Sequence, residues 1–548
     1  MRSIPCYRFQ SGTAHARRSR FGSIFVFYSN FSLVAKEGKP YRLCYEHYEE
    51  LKQDQNYDAV EWRRRRMKPP ERLKKATILG LGKSGYAAAR YLSSRGVSVI
   101  LSEYGQIQGE YIALADELKQ MGVEVESGGH SDRALEQADL IITSPGIAPD
   151  TAVIKKAYAL GKDVISDIEL ACTEGVIPII AITGTNGKST TTSLVSHIFQ
   201  SNGLIAPACG NIGSPVLDYL PNNGCATNGA AGGEPNYLIM EVSSYQLFYT
   251  KHFAPYISVW LNLTPDHLEW HKSMDAYIAA KENIFAHQDQ FDTKKLKDAK
   301  ALKDAYAVIN IDDPIVASRK IKAKPFPFSQ QTTLEGKEPA AFVLDNWLCY
   351  RLNGKVERVC SIDQLPIIGQ HNIENTLAAI AVSVICGLSV NQIGNAIKKF
   401  KALEHRLEYV DTIDGVALYN DSKATNPESS IKALQAFKEK IVLIAGGRDK
   451  GTALQEFSKV VRNQAAAVIL LGEAKERFAK ALNEADVANV YMVNSMEEAI
   501  NLGLKLKLGP LVLSPACASY DMFKNFEDRG NVFKDIIHAK RAQVGQPS

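Results

Sequence analysis

The sequence predicts an α/β protein of three domains: an N-terminal Rossmann-like domain, a central parallel-sheet domain of the phosphate-loop ATPase type, and a C-terminal Rossmann-like domain. From about residue 76 onward, apolar runs of strand length alternate with amphipathic helical stretches, which is typical of parallel sheets covered by helices. A chain of 548 residues is also too long for one hydrophobic core. We place the domains at residues 67–170, 171–402 and 403–548.

Residues 1–66 form an extension whose composition differs from the rest. They carry 13 Lys/Arg and 7 Asp/Glu, a net charge of +6, whereas the remaining chain has 51 basic and 53 acidic residues, a net charge of −2. The near-neutral bulk gives no support for nucleic-acid binding. The Arg-rich, acid-poor start resembles an organelle-targeting segment, but Met67 is equally suited to begin a cytosolic enzyme. We expect either an unstructured extension upstream of a start at Met67 or a targeting segment.

The bulk composition favours a protein of the cytoplasm. No window approaches the roughly 18 uninterrupted apolar residues that a membrane-spanning helix needs, so we expect no membrane insertion. The nine cysteines are scattered without a C-x-x-C pair, which favours reduced thiols over a disulfide framework or structural zinc. We expect a cytoplasmic monomer that acts on small molecules.

The first domain opens with the strand, glycine turn, helix and strand of "ATILGLGKSGYAAARYLSSRGVSVILSE". Gly80, Gly82 and Gly85 fit the pattern G-x-G-x-x-G, and Glu103 stands at the end of the following strand. Such glycines let a diphosphate approach the helix N-terminus, and the acid can accept ribose hydroxyls. The pattern predicts a nucleotide-binding βαβ unit; the alternative is a turn that only packs helix on strand.

The second domain opens with "AITGTNGKSTTTSLV" at residues 181–195. Backbone N–H groups of such a loop cradle phosphate oxygens, Lys188 can reach the β- and γ-phosphates, and Ser189 or Thr190 can bind Mg²⁺. The loop departs from G-x-x-x-x-G-K-[ST], because Ile182 replaces the first glycine. It predicts a nucleoside triphosphate site but does not choose between hydrolysis, transfer and activation.

Companion residues follow later strands of the second domain. Glu241 ends the buried strand of "LIMEVSS", where a carboxylate can complete the oxygen shell of Mg²⁺. His267 follows the next strand in "DHLEWH" and can ligate a metal. Lys281 lies on the helix after that. Taken alone, His267 is equally a helix-start residue with a structural hydrogen bond, and Lys281 a surface cation.

Later stretches complete the second and third domains. The second continues through the predicted strands "NYLIMEVSS", "YISVWLNL" and "AYAVINIDD", with surface insertions at 221–236 and 287–306. The third repeats the alternation in "KIVLIAGG", "AAVILLG", "NVYMVN" and "GPLVLSPACAS". Because ligands bind at the carboxyl ends of parallel strands, the loops after these strands are expected to form sites.

Seven ordered strings together resemble the Mur ligase family, ATP-dependent amide-forming enzymes of peptidoglycan synthesis with relatives that add glutamate to folates. They are "GTNGKST", "EVSS", "DHLEWH", "HNIENTLAA", "EHRLEYV", "NDSKATNP" and "SPACASYDMFKNFEDRG", within a similarity that covers about residues 76 to 535. The last two resemble the branch that adds D-glutamate to UDP-N-acetylmuramoyl-L-alanine. The resemblance implies those substrates and a reaction through an acyl phosphate.

The resemblance also implies roles for individual residues. Lys188, His267 and Lys281 are the expected catalytic residues. ATP is expected at Gly184, Thr185, Asn186, Gly187, Lys188, Ser189, Thr190, Asn372, Asn375, Arg406 and Asp421. Two Mg²⁺ ions are expected at Ser189, Glu241, His267 and Lys281, with Lys281 carbamylated so that it offers oxygen ligands. The nucleotide sugar and D-glutamate are expected at Gly82, Lys83, Ser84, Glu103, Ser144, Gly146, Asn211, Lys423, Thr425, Lys450, Ser519 and Phe526.

Three other functions remain open at this point. An NAD-dependent oxidoreductase would use the glycine turn and Glu103, but it leaves the loop at 184–190 without a role. A second muramoyl or folate ligase would share the loop and differ in the acceptor. A non-catalytic scaffold would need no intact set of Lys188, Glu241, His267 and Lys281.

Overall fold

The computed structural model describes residues 73–221, 233–292, 296, 304–449 and 451–544. Its first domain is a parallel sheet in the order β3-β2-β1-β4-β5, flanked by helices. The inner strands form because runs such as "LIIT" are buried on both faces. The elements are β1 (Lys75–Leu79), α1 (Lys83–Ser94), β2 (Ser98–Glu103), α2 (Tyr111–Gln120), β3 (Glu124–Ser127), α3 (Asp132–Gln137), β4 (Leu140–Thr143), α4 (Ala152–Ala159) and β5 (Asp163–Ile165).

The second domain is built on a nine-stranded sheet in the order β14-β13-β12-β11-β10-β9-β6-β8-β7. Strands β6 to β12 run parallel, with a fully buried β6 near the middle. The elements are α5 (Asp167–Glu174), β6 (Ile179–Thr183), α6 (Lys188–Gln200), β7 (Ala208–Gly210), β8 (Leu238–Glu241), α7 (Ser244–Phe248), β9 (Ile257–Trp260), α8 (Leu268–His271), α9 (Met274–Ala286), β10 (Tyr306–Asn310), α10 (Pro314–Ala317), β11 (Lys324–Ser329), β12 (Ala340–Leu344), β13 (Trp347–Leu352), β14 (Lys355–Ser361), α11 (Gln370–Ile385) and α12 (Val390–Ile397).

The third domain has a six-stranded sheet in the order β15-β16-β20-β17-β18-β19. All its pairs are parallel except β15 with β16, which form an antiparallel hairpin at one edge. The elements are β15 (Glu408–Ile413), β16 (Val416–Asn420), α13 (Pro427–Gln435), β17 (Ile441–Gly446), α14 (Gln455–Gln464), β18 (Ala465–Leu471), α15 (Lys475–Glu484), β19 (Val490–Met492), α16 (Met496–Leu506), β20 (Leu511–Leu513) and α17 (Phe526–Val544).

The predicted α/β class with three domains is confirmed, and so are the predicted strands of the second and third domains. The central sheet is parallel except at one edge, where β13 pairs antiparallel with both β12 and β14. Their short turns at Asp345–Asn346 and Asn353–Gly354 have positive φ, which suits tight hairpins. None of the helices in the described ranges could cross a membrane.

The first and second domains share a hydrophobic core, and the third domain has cores of its own. One buried cluster runs without interruption from Ile78 of the first domain to Trp260 of the second. The buried clusters of the third domain are separate and draw on residues from 407 onward. The first two domains therefore share one continuous core, whereas the third has its own clusters, against one of which Ile368 of the second domain packs.

Candidate active site

The phosphate-binding loop connects buried strand β6 to helix α6, as the sequence predicted. Gly187 is the residue before α6 and has φ +83. A Cβ on Gly187 would lie 2.2 Å from Oδ1 of Asn375, so only glycine fits there without displacing its neighbours. The first N–H groups of α6 have no partner within the helix. The loop thus presents the backbone arrangement that binds anions.

Lys188, the first residue of α6, bends back over this loop. Its Nζ donates to the carbonyl oxygens of Gly184 and Thr185, each at 2.8 Å. Burial lowers the pKa of Lys188, and the nearby Arg406 guanidinium lowers it further, while Glu241 opposes the shift. A negatively charged ligand in the loop would relieve that repulsion.

Glu241 ends β8 and is almost fully buried, with 3% of its surface exposed. Its Oε1 accepts a hydrogen bond from Nδ2 of Asn211 at 2.8 Å. Its Oε2 is buried without a hydrogen-bond partner among the described residues. Because an unsatisfied buried carboxylate oxygen is costly, this atom fits a cation ligand, and the set of Glu241 and the Ser189 hydroxyl fits Mg²⁺.

Lys281 points from α9 toward the same loop and is buried. Its Nζ donates to Oγ1 of Thr183 at 3.2 Å and to the carbonyl oxygen of Gly184 at 3.0 Å. Burial, together with the charge of Lys188, places the pKa of Lys281 well below its usual range. The alternative of a surface cation is therefore wrong for Lys281.

His267 lies between β9 and α8 in the left-handed backbone region, with φ 55. Its Nε2 is 3.4 Å from Oδ2 of Asp266, and its ring packs 4.8 Å from that of Tyr245. Burial lowers its pKa, which favours the neutral imidazole that binds metals. Across the described ranges, no three His, Cys, Asp or Glu side chains cluster to hold a metal.

A cleft lies between the second and third domains. Of the predicted nucleotide-binding residues, the structure brings to its walls Asn186, Gly187, Thr190, Asn372, Asn375, Arg406 and Asp421, together with Lys423. Ile367, His371 and Lys432 also line it and were not predicted from the sequence. His371 stands inside the quoted string "HNIEN", and burial lowers its pKa to about 4, so it faces the cleft as a neutral imidazole.

Arg406 and Asp421 come from the third domain and face the loop of the second. Nη2 of Arg406 donates to Oγ of Ser189 at 3.1 Å, while its Nε is buried without a hydrogen-bond partner among the described residues. Asp421 accepts from the backbone N–H of Leu407 and from the Ser514 hydroxyl. Burial raises the pKa of Asp421 to about 7.

Of the residues expected to hold D-glutamate, Lys423 lines this cleft and Phe526 packs against Lys423. Nζ of Lys423 lies 5.1 Å from the centre of the Phe526 ring, and burial lowers its pKa. Thr425 follows two residues after Lys423, with its N–H bonded to the Lys423 carbonyl. Ser519 is buried in the loop after β20. Lys450 lies outside the described residues.

Arg529, which was not predicted from the sequence, connects the loops around that pocket. Its guanidinium is 2% exposed and donates to the hydroxyl and the carbonyl oxygen of Ser422. It also donates to the carbonyl oxygens of Cys517 and Ala518. Arg529 stands in the quoted string "FEDRG", and an arginine among apolar helix positions is the signal that would have indicated a buried partner.

In the first domain, each of the three positions of the turn is glycine for a different reason. Gly80 has φ +94, and its Cβ would lie 2.6 Å from Oγ of Ser144. A Cβ on Gly85 would lie 1.9 Å from the carbonyl oxygen of Gly80, because α1 packs tightly on β1. A Cβ on Gly82 would meet nothing within 4 Å. Space at the start of α1 is therefore open to a ligand.

The other predicted residues of the first domain surround that space. Ser84 donates from its hydroxyl to Oδ2 of the buried Asp167 at 2.7 Å. Lys83 is exposed, and Gly146 follows β4 with open space at its Cα. Glu103 does not extend into the open space: its Oε2 accepts the N–H of Leu81 at 2.7 Å, and its Oε1 accepts that of Gly105 at 3.1 Å.

This geometry defines a three-domain nucleotide-dependent enzyme fold, with an anion-binding loop facing an interdomain cleft. Three family models match in the corresponding order. A "Mur ligase MurD-like, N-terminal domain" matches residues 74–166, a "Mur ligase middle domain" matches 182–383 and a "Mur ligase, glutamate ligase domain" matches 405–515. The chain belongs to the Mur ligase family, and the resemblance of the sequence strings to it is confirmed.

Individual relatives agree with the family models. The chain is 39% identical over 473 residues to the UDP-N-acetylmuramoylalanine--D-glutamate ligase of Thermoanaerobacter sp. (strain X514), covering 85% of this chain and 98% of that protein. It is 38% identical over 468 residues to the ligase of the same name from Pelotomaculum thermopropionicum, covering 85% and 97%. The family membership argues against the NAD-dependent oxidoreductase alternative.

Proposed function

We propose that the protein is an ATP-dependent ligase that adds D-glutamate to UDP-N-acetylmuramoyl-L-alanine in peptidoglycan precursor synthesis. Relatives that match this chain over nearly their whole length are named for that activity. The observation that carries the proposal is the cleft lined by Arg406 and Lys423, whose charges lie near Lys188 of the loop and the buried Glu241.

The cationic side chains of the cleft suit a triphosphate. Burial lowers the pKa of Lys188 and of Lys423, and the positive charge of Arg406 lowers both further. Phosphate oxygens would supply the missing charge, with N–H groups from Gly184 to Thr190 around them. Asn372, Asn375, Arg406 and Asp421 would hold the adenosine and the phosphates.

Mg²⁺ fits Ser189 and Glu241, because Oε2 of Glu241 has no hydrogen-bond partner within the part of the chain that the structure describes. When bound, Mg²⁺ supplies neutralisation of phosphate charge during phosphoryl transfer. His267 and Lys281 would serve a second ion after carbamylation, in which the Lys281 amine adds to CO₂ and releases one proton. A neutral amine is the form that adds to CO₂, and the lowered pKa of Lys281 supports this step.

The reaction we propose has two steps. The L-alanyl carboxylate attacks the γ-phosphorus of ATP, ADP leaves, and an acyl phosphate forms. The D-glutamate amine then attacks the acyl carbon, and phosphate leaves with the amide bond formed and the amine proton released. The chain holds the carboxylate in line with the γ-phosphate and excludes water from the acyl phosphate.

The two organic substrates would come from the outer domains. Gly82, Lys83, Ser84, Ser144 and Gly146 would surround the uridine diphosphate, with Asn211 at the muramoyl part. Lys423, Thr425, Lys450, Ser519 and Phe526 would form the D-glutamate pocket, where cations meet carboxylates. We further propose that the protein acts as a monomer in the cytoplasm, where ATP and nucleotide sugars are available.

A coupled assay of purified protein tests the proposal. Phosphate release is followed with UDP-N-acetylmuramoyl-L-alanine, ATP and Mg²⁺, with D-glutamate present or omitted, and the product is identified by mass spectrometry. We expect release that depends on both organic substrates and a product heavier by one glutamyl residue. Release that is unchanged without D-glutamate, or supported equally by L-alanine, would contradict the proposal.

A further inference from the structure

Arg529 of α17 is a buried cation to which the proposed reaction gives no role. Its guanidinium donates hydrogen bonds of 2.7 to 3.3 Å to the hydroxyl and carbonyl oxygens of Ser422 and to the carbonyl oxygens of Cys517 and Ala518. Its hydrogen-bond partners in the described ranges therefore include no carboxylate. Burial lowers the pKa of Arg529 to about 10, so the group remains charged at neutral pH.

Stability alone does not account for a charge in this place. Taking a guanidinium out of water is costly, and an apolar side chain of similar volume generally stabilises a protein interior at least as well. The oxygens that Arg529 binds lie in two loops: Ser422 follows β16, whereas Cys517 and Ala518 follow β20. These are the loops that carry residues proposed to hold D-glutamate.

In the first loop, Arg529 fixes the peptide unit that leads into Lys423. Nη2 of Arg529 donates to the Ser422 carbonyl oxygen at 2.7 Å. The N–H of Lys423, which belongs to the same peptide unit, donates to the carbonyl oxygen of His405 at 3.0 Å. Because a peptide unit is planar, these two bonds hold it from both sides. They set the direction in which the Lys423 side chain leaves the backbone.

The same guanidinium reaches two further residues of the proposed pocket. The Ser422 hydroxyl accepts from Nε of Arg529 at 2.9 Å and donates to the carbonyl oxygen of Phe526 at 2.8 Å. Nη1 of Arg529 donates at 3.3 Å to the carbonyl oxygen of Ala518, which shares a peptide unit with the N–H of Ser519. One side chain thus connects the backbone at three residues that are distant in sequence.

We propose that Arg529 is a positioning residue for D-glutamate, whose planar fork holds Lys423, Ser519 and Phe526 at the spacing that the amino acid requires. This inference rests on the proposed function, since it assumes D-glutamate in that pocket. Arg529 acts through these residues, because only 2% of its surface is exposed. The fork matters beyond its charge: a lysine presents all its donors from one atom and cannot reach both loops in this geometry.

Steady-state kinetics of Arg529→Lys and Arg529→Met test the role. Both should raise the KM for D-glutamate about 10- to 100-fold, the effect of losing hydrogen bonds from a charged donor. The KM values for ATP and for the nucleotide sugar should stay within about twofold of the wild type. Arg541→Met is the matched control, since Arg541 is an exposed arginine on the same helix that binds the Thr412 carbonyl.

Two results would overturn the positioning role. A wild-type KM for D-glutamate in Arg529→Lys would show that the fork is unimportant. An equal rise of all three KM values would show that the variant disturbs the protein as a whole.

Ser422→Ala tests the same connection with a smaller change. It removes the hydroxyl between Arg529 and Phe526 and should raise the KM for D-glutamate about 3- to 10-fold. Combined with Arg529→Lys, its effect should be smaller than the product of the two single effects, because both variants break the same bond. Independent effects would contradict the connection. Should the Arg529 variants fail to fold, an unchanged KM in Ser422→Ala overturns the proposal.

Hydroxylamine in place of D-glutamate separates this inference from the proposed function. Its nitrogen attacks the acyl phosphate, a hydroxamate forms and phosphate leaves, and hydroxylamine has no carboxylates for the pocket to hold. Arg529→Lys should form hydroxamate within about twofold of the wild-type rate. A parallel loss of ligation and of hydroxamate formation would overturn the positioning role alone. A wild-type protein that forms neither hydroxamate nor D-glutamyl product refutes the proposed function, and this inference with it.

Discussion

In the proposed reaction, Lys188 stabilises the negative charge of the phosphates in the transition state. Lys188→Ala should lower kcat by about 100- to 1,000-fold, the effect of removing one charge-stabilising donor from a transition state. Steady-state kinetics with saturating substrates measure it. Lys459→Ala provides a matched control, since Lys459 is an exposed cation paired with Glu456 on α14. A Lys188→Ala protein with wild-type kcat would contradict the assigned role.

Gly187 gives a second prediction at this scale. Gly187→Ala should lower the free energy of unfolding by more than the roughly 1–2 kcal/mol that a left-handed backbone costs an L-residue, because the new methyl group would meet Asn375 at 2.2 Å. Gly336→Ala is the matched control: Gly336 has φ +70 but open space around it. Denaturant unfolding of both variants measures the difference. Equal destabilisation would show that the contact with Asn375 is unimportant.

Single residues show how far the sequence could be interpreted. The loop at 184–190 was predictable from its residue types and their spacing, because a phosphate-binding loop is formed by neighbouring residues. The partner atoms were not: Ser189 bonds to Arg406, 217 positions away in sequence, and Glu241 bonds to Asn211. The burial of Lys281 was equally hidden, since a lysine on a helix is ordinarily exposed. Only the folded chain shows which polar groups are brought together.

Among the elements, the end of β16 offers a prediction for stability against pH. Asp421 follows this strand, and burial raises the pKa of its carboxyl group from 3.8 to about 7. The folded protein therefore binds a proton more tightly than the unfolded chain, so this group's contribution to stability falls as pH rises from about 4 to 7. Asp421→Asn removes the titration; its Oδ1 keeps the bond from the Leu407 N–H, while its Nδ2 donates to the Ser514 hydroxyl in place of accepting from it.

The variant should accordingly become more stable relative to wild type across that window, by at most about 1.4 kcal/mol per pH unit. Urea unfolding at pH 5, 6 and 7 measures the trend. A constant difference between the two proteins at all three values would contradict the assigned pKa.

The strands of the parallel sheets were the elements most easily predicted, because runs such as "IIAIT" and "IVLIAG" are apolar throughout. The antiparallel strands at residues 340–361 were missed. Their burial patterns are mixed, and a sheet edge is set by which strand remains available for pairing, which local sequence does not specify.

At the scale of the whole molecule, the segment that links the second and third domains has features expected of a hinge. His405 and Leu407 flank Arg406, and both have positive φ, a conformation that non-glycine residues hold only at some cost. The third domain also has its own buried clusters. We therefore expect it to rotate as a rigid body about residues 402–407.

Small-angle scattering tests this rotation. Adding a non-hydrolysable ATP analogue with UDP-N-acetylmuramoyl-L-alanine and Mg²⁺ should change the radius of gyration, because ligands that contact both sides of a cleft favour one arrangement. Arg406→Ala, which loses the contact with Ser189, should respond less. Identical curves with and without ligands would contradict the hinge.

The cleft between the second and third domains has walls from two separately packed bodies. A synthetic compound bound between Arg406 and the turn at Gly187 would therefore compete with ATP and would also block the rotation of the third domain. The cleft between the two domains is therefore a target for inhibitor design. Neither domain forms that target when it is produced alone.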